Sequence, residues 1–426
     1  MRARWISPRP GRRSRPALAE PTSLLHSPAH RAALAADARA LLAFHRASLS
    51  ADGSFVPLGT DGTRHHGAAQ ELHVTTRMVH SYALGQAWGA PDCAGIIETG
   101  MRALWTWHRD PDHGGYVWAV RGPKAQDTRK LAYGHVFVLL AAASASEVGH
   151  DDAPRLLADI ASVLERHFWD DTVGRLREEF AREWQPLSRY RGMNANMHGV
   201  EAFLAAYEAT GQEVWLDRAG RILDFFTRQM AGAHDHRIPE HYTQDWQVDP
   251  AYRGDPVFRP PGTTPGHSLE FARLLLQHWD LTGRGDATAL PRARALVTTA
   301  LADAWLPDGG LAYTLAPGGA VDQSVRLWWP VTEGLAALAM LQKLDPQPQD
   351  AAWYARLNAF ARAHFIDTRH GGWHPELGAD GLPAASIFSG KPDIYHALQA
   401  DLLALGPGVS RVFDGLRTVS ESQADT

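Results

Sequence analysis

Residues 112–120 read DHGGYVWAV, a glycine turn followed by aromatic and β-branched residues. The same form returns as ADGSFVPL (51–58), DDTVGRLREEF (170–180), DHRIPEHYT (235–243), PDGGLAYTL (307–315) and RHGGWHPEL (369–377). Glycine and aspartate punctuate a chain because they tolerate turn geometry, and the residues after them favour short extended segments. The six turns recur at intervals of roughly 60 residues, with one longer interval between the fourth and fifth. A fixed period of this kind marks a repeated supersecondary unit.

Between the turns the apolar residues have helical period. The segments 71–88 and 90–108 follow the first turn, 128–148 and 153–169 the second, and 193–209 and 213–230 the third. The remainder supplies 267–281, 293–305, 331–344 and 351–365, and 30–49 and 392–405 near the two ends bring the total to twelve helices. One helix of each pair is Ala/Leu-rich nearly all round, while its partner carries Arg, Asp and Glu on one side. An inner helix packed on two sides and an outer helix with a wet face would read this way. The expected fold is all-α: an (α/α)6 barrel of twelve helices, with short hairpin-like turns at one mouth. An open solenoid is the alternative, and closure is favoured because neither end carries a polar capping repeat. The expected organisation is a disordered basic leader over 1–27, a single barrel domain over 28–406 and a flexible tail over 407–426.

Composition excludes several classes. The net charge of −5 gives no general basic field for nucleic acid. No apolar run approaches the roughly 20 residues that span a bilayer, so no membrane partner is expected. The basic, proline-rich start MRARWISPRPGRRSRP lacks the apolar stretch of a secretory signal. The single cysteine, Cys93, cannot form an intramolecular disulfide, which fits a reducing cytoplasm. Fifteen tryptophans and 22 histidines are the informative excess, since indole faces either fill cores or stack on sugars.

Polar residues concentrate where the inner helices begin. RGMNANMHGVEA (191–202) holds Asn194, Asn196, His198 and Glu201, and GHSLE (266–270) holds His267 and Glu270. RLWWPVTEG (326–334) holds Trp328, Trp329 and Glu333; SGKPDIYH (389–396) holds Lys391, Asp393, Tyr395 and His396; ELHVTTRMVH (71–80) holds His73, Arg77 and His80. A buried imidazole needs a partner to fix its tautomer and bring it near neutrality. Glu270, three residues after His267 on one helix face, is expected to be that partner, and Glu333 could serve a neighbour across the ring. No cluster has zinc-ligand spacing, and the glycine turns match no phosphate-binding motif. No GxSxG elbow is present. No metal and no cofactor are therefore expected. A glycosidase using Glu270 and Glu333 is the serious alternative to a reversible proton shuttle at a polyol pocket.

Taken together, NANMHGVEA, TPGHSLEFARLLL, WWPVTE and SGKPDIYHALQA resemble the N-acylglucosamine 2-epimerase superfamily. Within it they look most like the aldose–ketose isomerase branch, which includes mannose isomerase and sulfoquinovose isomerase. The resemblance runs from about His30 to Leu405. It implies an (α/α)6 barrel and metal-free chemistry on a monosaccharide through a cis-enediol. By the same resemblance His396 matches the base at C2, His267 the second acid/base and Glu270 its orienting carboxylate. His198 and Asn194 match substrate-oxygen contacts and Arg77 the arginine on a hydroxyl or carbonyl oxygen. Glu333 matches the carboxylate of the WWPxxE segment, and Arg259 sits where some members hold the far end of the substrate. Trp329 and Asp393 are counted with the substrate contacts. Sulfoquinovose isomerases carry a glutamine where this chain has Glu376. A pocket-facing, ionised Glu376 would repel a sulfonate, so mannose, or a relative such as lyxose, is the expected substrate, with C2 epimerisation as the other outcome. The family includes monomers and oligomers, so a homo-oligomer is compatible with the resemblance.

Overall fold

The computed structural model describes residues 23–254 and 259–424. Among them, twelve helices alternate between two rings. The inner ring consists of α2 (Leu72–Ala87), α4 (Ala132–Glu147), α6 (Met193–Thr210), α8 (Pro265–Leu281), α10 (Trp328–Leu344) and α12 (Tyr395–Leu405). Each packs on the next, and α12 packs back on α2, so the ring closes. The outer helices are α1 (Pro28–His45), α3 (Ala94–Ala103), α5 (Ala153–Val163), α7 (Glu213–Leu223), α9 (Ala289–Ala304) and α11 (Pro348–Phe360). They pack respectively on α12, α2, α4, α6, α8 and α10.

The burial pattern explains which helix goes where. In α4 every residue from Val136 to Ala145 is buried, as a helix with neighbours on two sides requires. In α7, Trp215, Leu216, Ala219, Ile222 and Leu223 form a buried stripe while Glu213, Val214 and Asp217 stay exposed. Closure removes the two bare ends that would leave a solenoid needing caps.

The six turns lie at the mouth where the inner helices begin. A short extended segment ahead of each inner helix pairs antiparallel with the segment after the next turn. Gln70–Glu71 pairs with 119–120, Lys130–Leu131 with 179–180, Arg191–Gly192 with 241–242, and Arg326–Leu327 with 376–377. Single bridges complete the cycle, Thr263 to Leu315 and Lys391 to Leu58. Each inner helix start is thereby tied to the following repeat, which fixes the side chains of its first turns.

Buried cations lock the turns. The Lys391 ammonium, fully buried, donates to Asp367 Oδ2 at 2.7 Å and to the carbonyl of Gly371. Lys130 does the same for Asp110 and Gly114 one third of the way round. Gly371 and Gly372 adopt positive φ, and a Cβ at either would meet Phe44 at 3.0 Å. Lys391 therefore serves the ring's closing point. Because removing one partner strands a buried charge, Lys391→Met is expected to lower the unfolding free energy by about 3–5 kcal/mol. Denaturant titration of the variant against the wild type would show it, and an unchanged midpoint would rule it out.

Two expectations about the ends need correction. The supposed flexible tail is a helix, α13 (Val412–Ala424), packed on α2 and α12, with Phe413 and Leu416 buried. Its apolar stripe is short and its residues polar overall, which is why it passes for a tail. Most of the expected leader, 1–22, lies outside the described residues. Its last part does not: Leu24–His26 forms a 3-10 turn with Leu25 buried.

Candidate active site

Inner helix starts converge on a cavity of about 80 Å³ lined by Arg77, Tyr133, His198, His267, Trp329 and His396, among others. It adjoins a second cavity of about 280 Å³, and Tyr133 and Asn194 line both. A larger groove of about 620 Å³ runs along the outer flank past Arg221 and Asp224, with no imidazole–carboxylate pair among its described residues.

His396, in the first turn of α12, places Nδ1 2.8 Å from Glu333 Oε1. Burial opposes ionisation of Glu333, but Arg273 and then His396 overcome it and hold the carboxyl below its usual range. An ionised carboxylate only accepts, so Nδ1–H is the donor and the tautomer is fixed. Nε2 of His396 is then the nitrogen left for chemistry. His267, at the start of α8, has its own carboxylate: Nδ1 lies 3.0 Å from each oxygen of Glu240. The backbone N–H of Thr264 also donates to Glu240. One indole serves both imidazoles, since the Trp329 ring centre is 4.9 Å from that of His267 and 5.8 Å from that of His396.

Beneath them sits a charged floor. Arg273 donates to Glu333, Glu201, Glu270 and Gln277 at 3.0–3.4 Å. Burial and then the Glu333 charge raise Glu270 well above the usual carboxylate range. Glu201 is held far below that range; burial opposes this, and Arg273 is the chief cause that prevails.

On the other wall Arg77 is paired. It donates to Asp393 at 2.6 Å and to the Tyr133 hydroxyl at 2.9 Å, while its buried Nε has no hydrogen-bond partner in the protein. His73 stacks on Trp118 with ring centres 5.2 Å apart. Burial, then Arg77, lowers His73 to about 3. Burial likewise lowers His198 to about 4, partly offset by Glu201. Both are neutral near pH 7.

The structure therefore brings Arg77, Asn194, His198, His267, Glu270, Trp329, Asp393 and His396 to one cavity, with Glu333 just behind His396. Two expectations change. Glu270 does not orient His267: from its place on α8 its carboxyl meets Arg273, and Glu240 takes the imidazole instead. Glu376 does not face the pocket. It is fully buried and accepts from the backbone N–H groups of Ser386, Ile387 and Phe388, holding the loop that brings Phe388 to the cavity. Arg259 lies in the neighbouring cavity, paired with Glu179 at 2.8 Å and set over the Tyr190 ring. Glu240 was missed because it lies in a turn segment, 27 residues before its partner; Arg273 was missed because an arginine on an inner helix reads as solvated.

Among the described residues, two trios bring possible metal-binding atoms within 4.8 Å: His198, Glu201 and Glu270, and Glu270, Glu333 and His396. Arg273 already meets the carboxylates of both.

Residues 53–400 match the family described as N-acylglucosamine 2-epimerase (GlcNAc 2-epimerase). The chain is 40% identical to a D-mannose isomerase of Thermobifida fusca over 92% of this chain and 98% of that one. It is 39% identical to a D-mannose isomerase of Pseudomonas cannabina pv. alisalensis over 93% and 98%. A crystal structure of a D-mannose isomerase superposes with a TM-score of 0.82 at 30% identity, over 89% of this chain and 99% of that one. Closed ring, paired histidines and sequence agree: the chain belongs to the N-acylglucosamine 2-epimerase family.

Proposed function

We propose that the protein interconverts D-mannose and D-fructose by moving one proton between C2 and C1. The observation that carries the chemistry is the pair of carboxylate-held imidazoles, His396–Glu333 and His267–Glu240, on one indole. His267 serves ring opening. His396 Nε2 then takes the C2 proton, giving a cis-enediolate, and returns it to C1 as a proton passes from O2 to O1. The Arg77 guanidinium, paired with Asp393, places positive charge on the wall beside the oxygens on which negative charge develops. Asn194 and His198 hold hydroxyl groups, and Arg259 serves the far end of the substrate from the neighbouring cavity. The substrate is named by the relatives, not by Glu376, which lies outside the pocket.

A neutral sugar also suits the lining. Its guanidinium, Arg77, is committed to Asp393, and His73 and His198 are uncharged near pH 7. No described lining residue among these offers a free cation to a sulfonate. The glycosidase alternative fails on the floor's geometry. Both Glu333 oxygens are engaged, by His396 and by Arg273, and Glu270 is bonded to the same arginine. The two carboxyls thus share one side of the site, whereas glycoside cleavage needs them flanking the bond.

Incubation with mannose in D2O, followed by NMR, tests the reading. Fructose is expected, with deuterium at C1 wherever the proton on His396 exchanges with solvent before its return; glucose as sole product would make the protein a 2-epimerase, and unaltered mannose would refute it. We assign the chemistry no metal, because Arg273 supplies the positive charge on the floor. Activity should accordingly survive exhaustive chelation within experimental error, and restoration by an added divalent ion would contradict this. One cysteine without a partner supports a cytoplasmic setting.

A further inference from the structure

Arg273 lies on α8, six residues after His267, with no surface reaching solvent. It does not line the cavity, so it cannot act on substrate directly. Its guanidinium is shared by three carboxylates from three inner helices: Glu201 of α6, Glu270 of α8 and Glu333 of α10. Two of these reach on to α12. Glu201 accepts from the Tyr395 hydroxyl and from Gln399, and Glu333 holds His396. A single positive charge facing three buried carboxylates cannot neutralise them all, and the shortfall falls on Glu270, whose hold on a proton is raised by burial and by the Glu333 charge. The other charged or titratable groups around this centre are Tyr395 and His396 of α12, His80 and Arg77 of α2, and His198 of α6.

We infer that Arg273 is a positioning residue for the isomerisation: acting through Glu333, it aims His396 and limits how firmly the His396–Glu333 pair holds a proton. The inference rests on His396 being the base. A base must release its resting proton before it can take one from C2. Left with an uncompensated Glu333, the pair as a whole would hold its proton more firmly, because coupled groups titrate as a pair. Arg273 competes for the same carboxylate and so frees the imidazole.

The test is the acid limb of the kcat/KM profile, followed as C2-hydrogen exchange on mannose. Arg273→Met should move that limb upward by about 1–3 pH units, the size an opposite charge at 4–6 Å gives. Arg273→Lys keeps the charge but loses the fork; it should leave the limb in place and lower kcat more than it changes KM. Glu201→Gln removes a competing anion and should move the limb the other way. The opposite signs separate electrostatics from damage, and thermal melts check folding. Should Arg273→Met not fold, the lysine and glutamine variants carry the test alone. An unmoved limb in Glu201→Gln, or a lysine variant displaced as far as the methionine one, would reduce Arg273 to a structural role. Failure of the mannose reading is distinct: it appears in the wild type, as absent fructose, before any variant is compared.

Discussion

Replacing His396 with alanine is expected to lower kcat on mannose by about 10²–10⁴-fold, the usual contribution of a general acid/base. The fold should survive. Glu333, stripped of the imidazole, remains bonded to Arg273, so no buried charge is stranded. The side chain lost is 5% exposed at the cavity, and α12 keeps its anchors through Tyr395 and Gln399 on Glu201. His267→Ala should lose activity comparably but for a different reason, which isotope exchange can separate. Without His396 exchange of the C2 hydrogen with solvent should fall by the same factor as turnover. Without His267 exchange should persist at the pace at which the sugar ring opens unaided. Near-normal turnover by His396→Ala would remove it as the base, and exchange surviving in that variant would move the role to His267.

The ring was legible because it rests on periodicity. Six glycine turns and two helical stretches per turn leave few architectures, and the inner–outer distinction follows from which helices lack a wet face. The longer interval before PDGGLAYTL corresponds to the segment between His241 and Pro265, which supplies Arg259 to the neighbouring cavity. Site residues on helices were legible for a related reason: a polar side chain in the first turns of an inner helix points to the mouth. Partners were not legible. Spacing of three residues puts His267 and Glu270 on one helix face, yet a helix also points successive side chains to different depths. Glu270 reaches the floor and Arg273, while His267 stays at the rim within reach of the 235–243 turn. Glu376 failed similarly, since the amides that claim it lie ten to twelve residues further on, in a loop with no periodic signal.

The choice between Glu240 and Glu270 as the partner of His267 has a sharp experimental form. In Glu240→Gln the imidazole keeps a hydrogen-bonding neighbour of the same shape but loses the negative charge that stabilises its protonated form. Because proton transfer at His267 requires that form in turn, kcat should fall toward the His267→Ala value, within the same range of about 10²–10⁴-fold. Glu270→Gln is a different change. Burial and the charges of Glu333 and Glu201 raise the hold of Glu270 on a proton well above that of an ordinary carboxyl. An amide resembles a protonated carboxyl in shape and still accepts from Arg273 through its oxygen, so this variant should stay within about tenfold of wild type, roughly 1.4 kcal/mol on the barrier. The ordering is the decisive quantity, because both substitutions are isosteric and both sites are buried. A Glu270→Gln enzyme as impaired as His267→Ala, beside an active Glu240→Gln enzyme, would reverse the pairing drawn from the 3.0 Å contacts of His267.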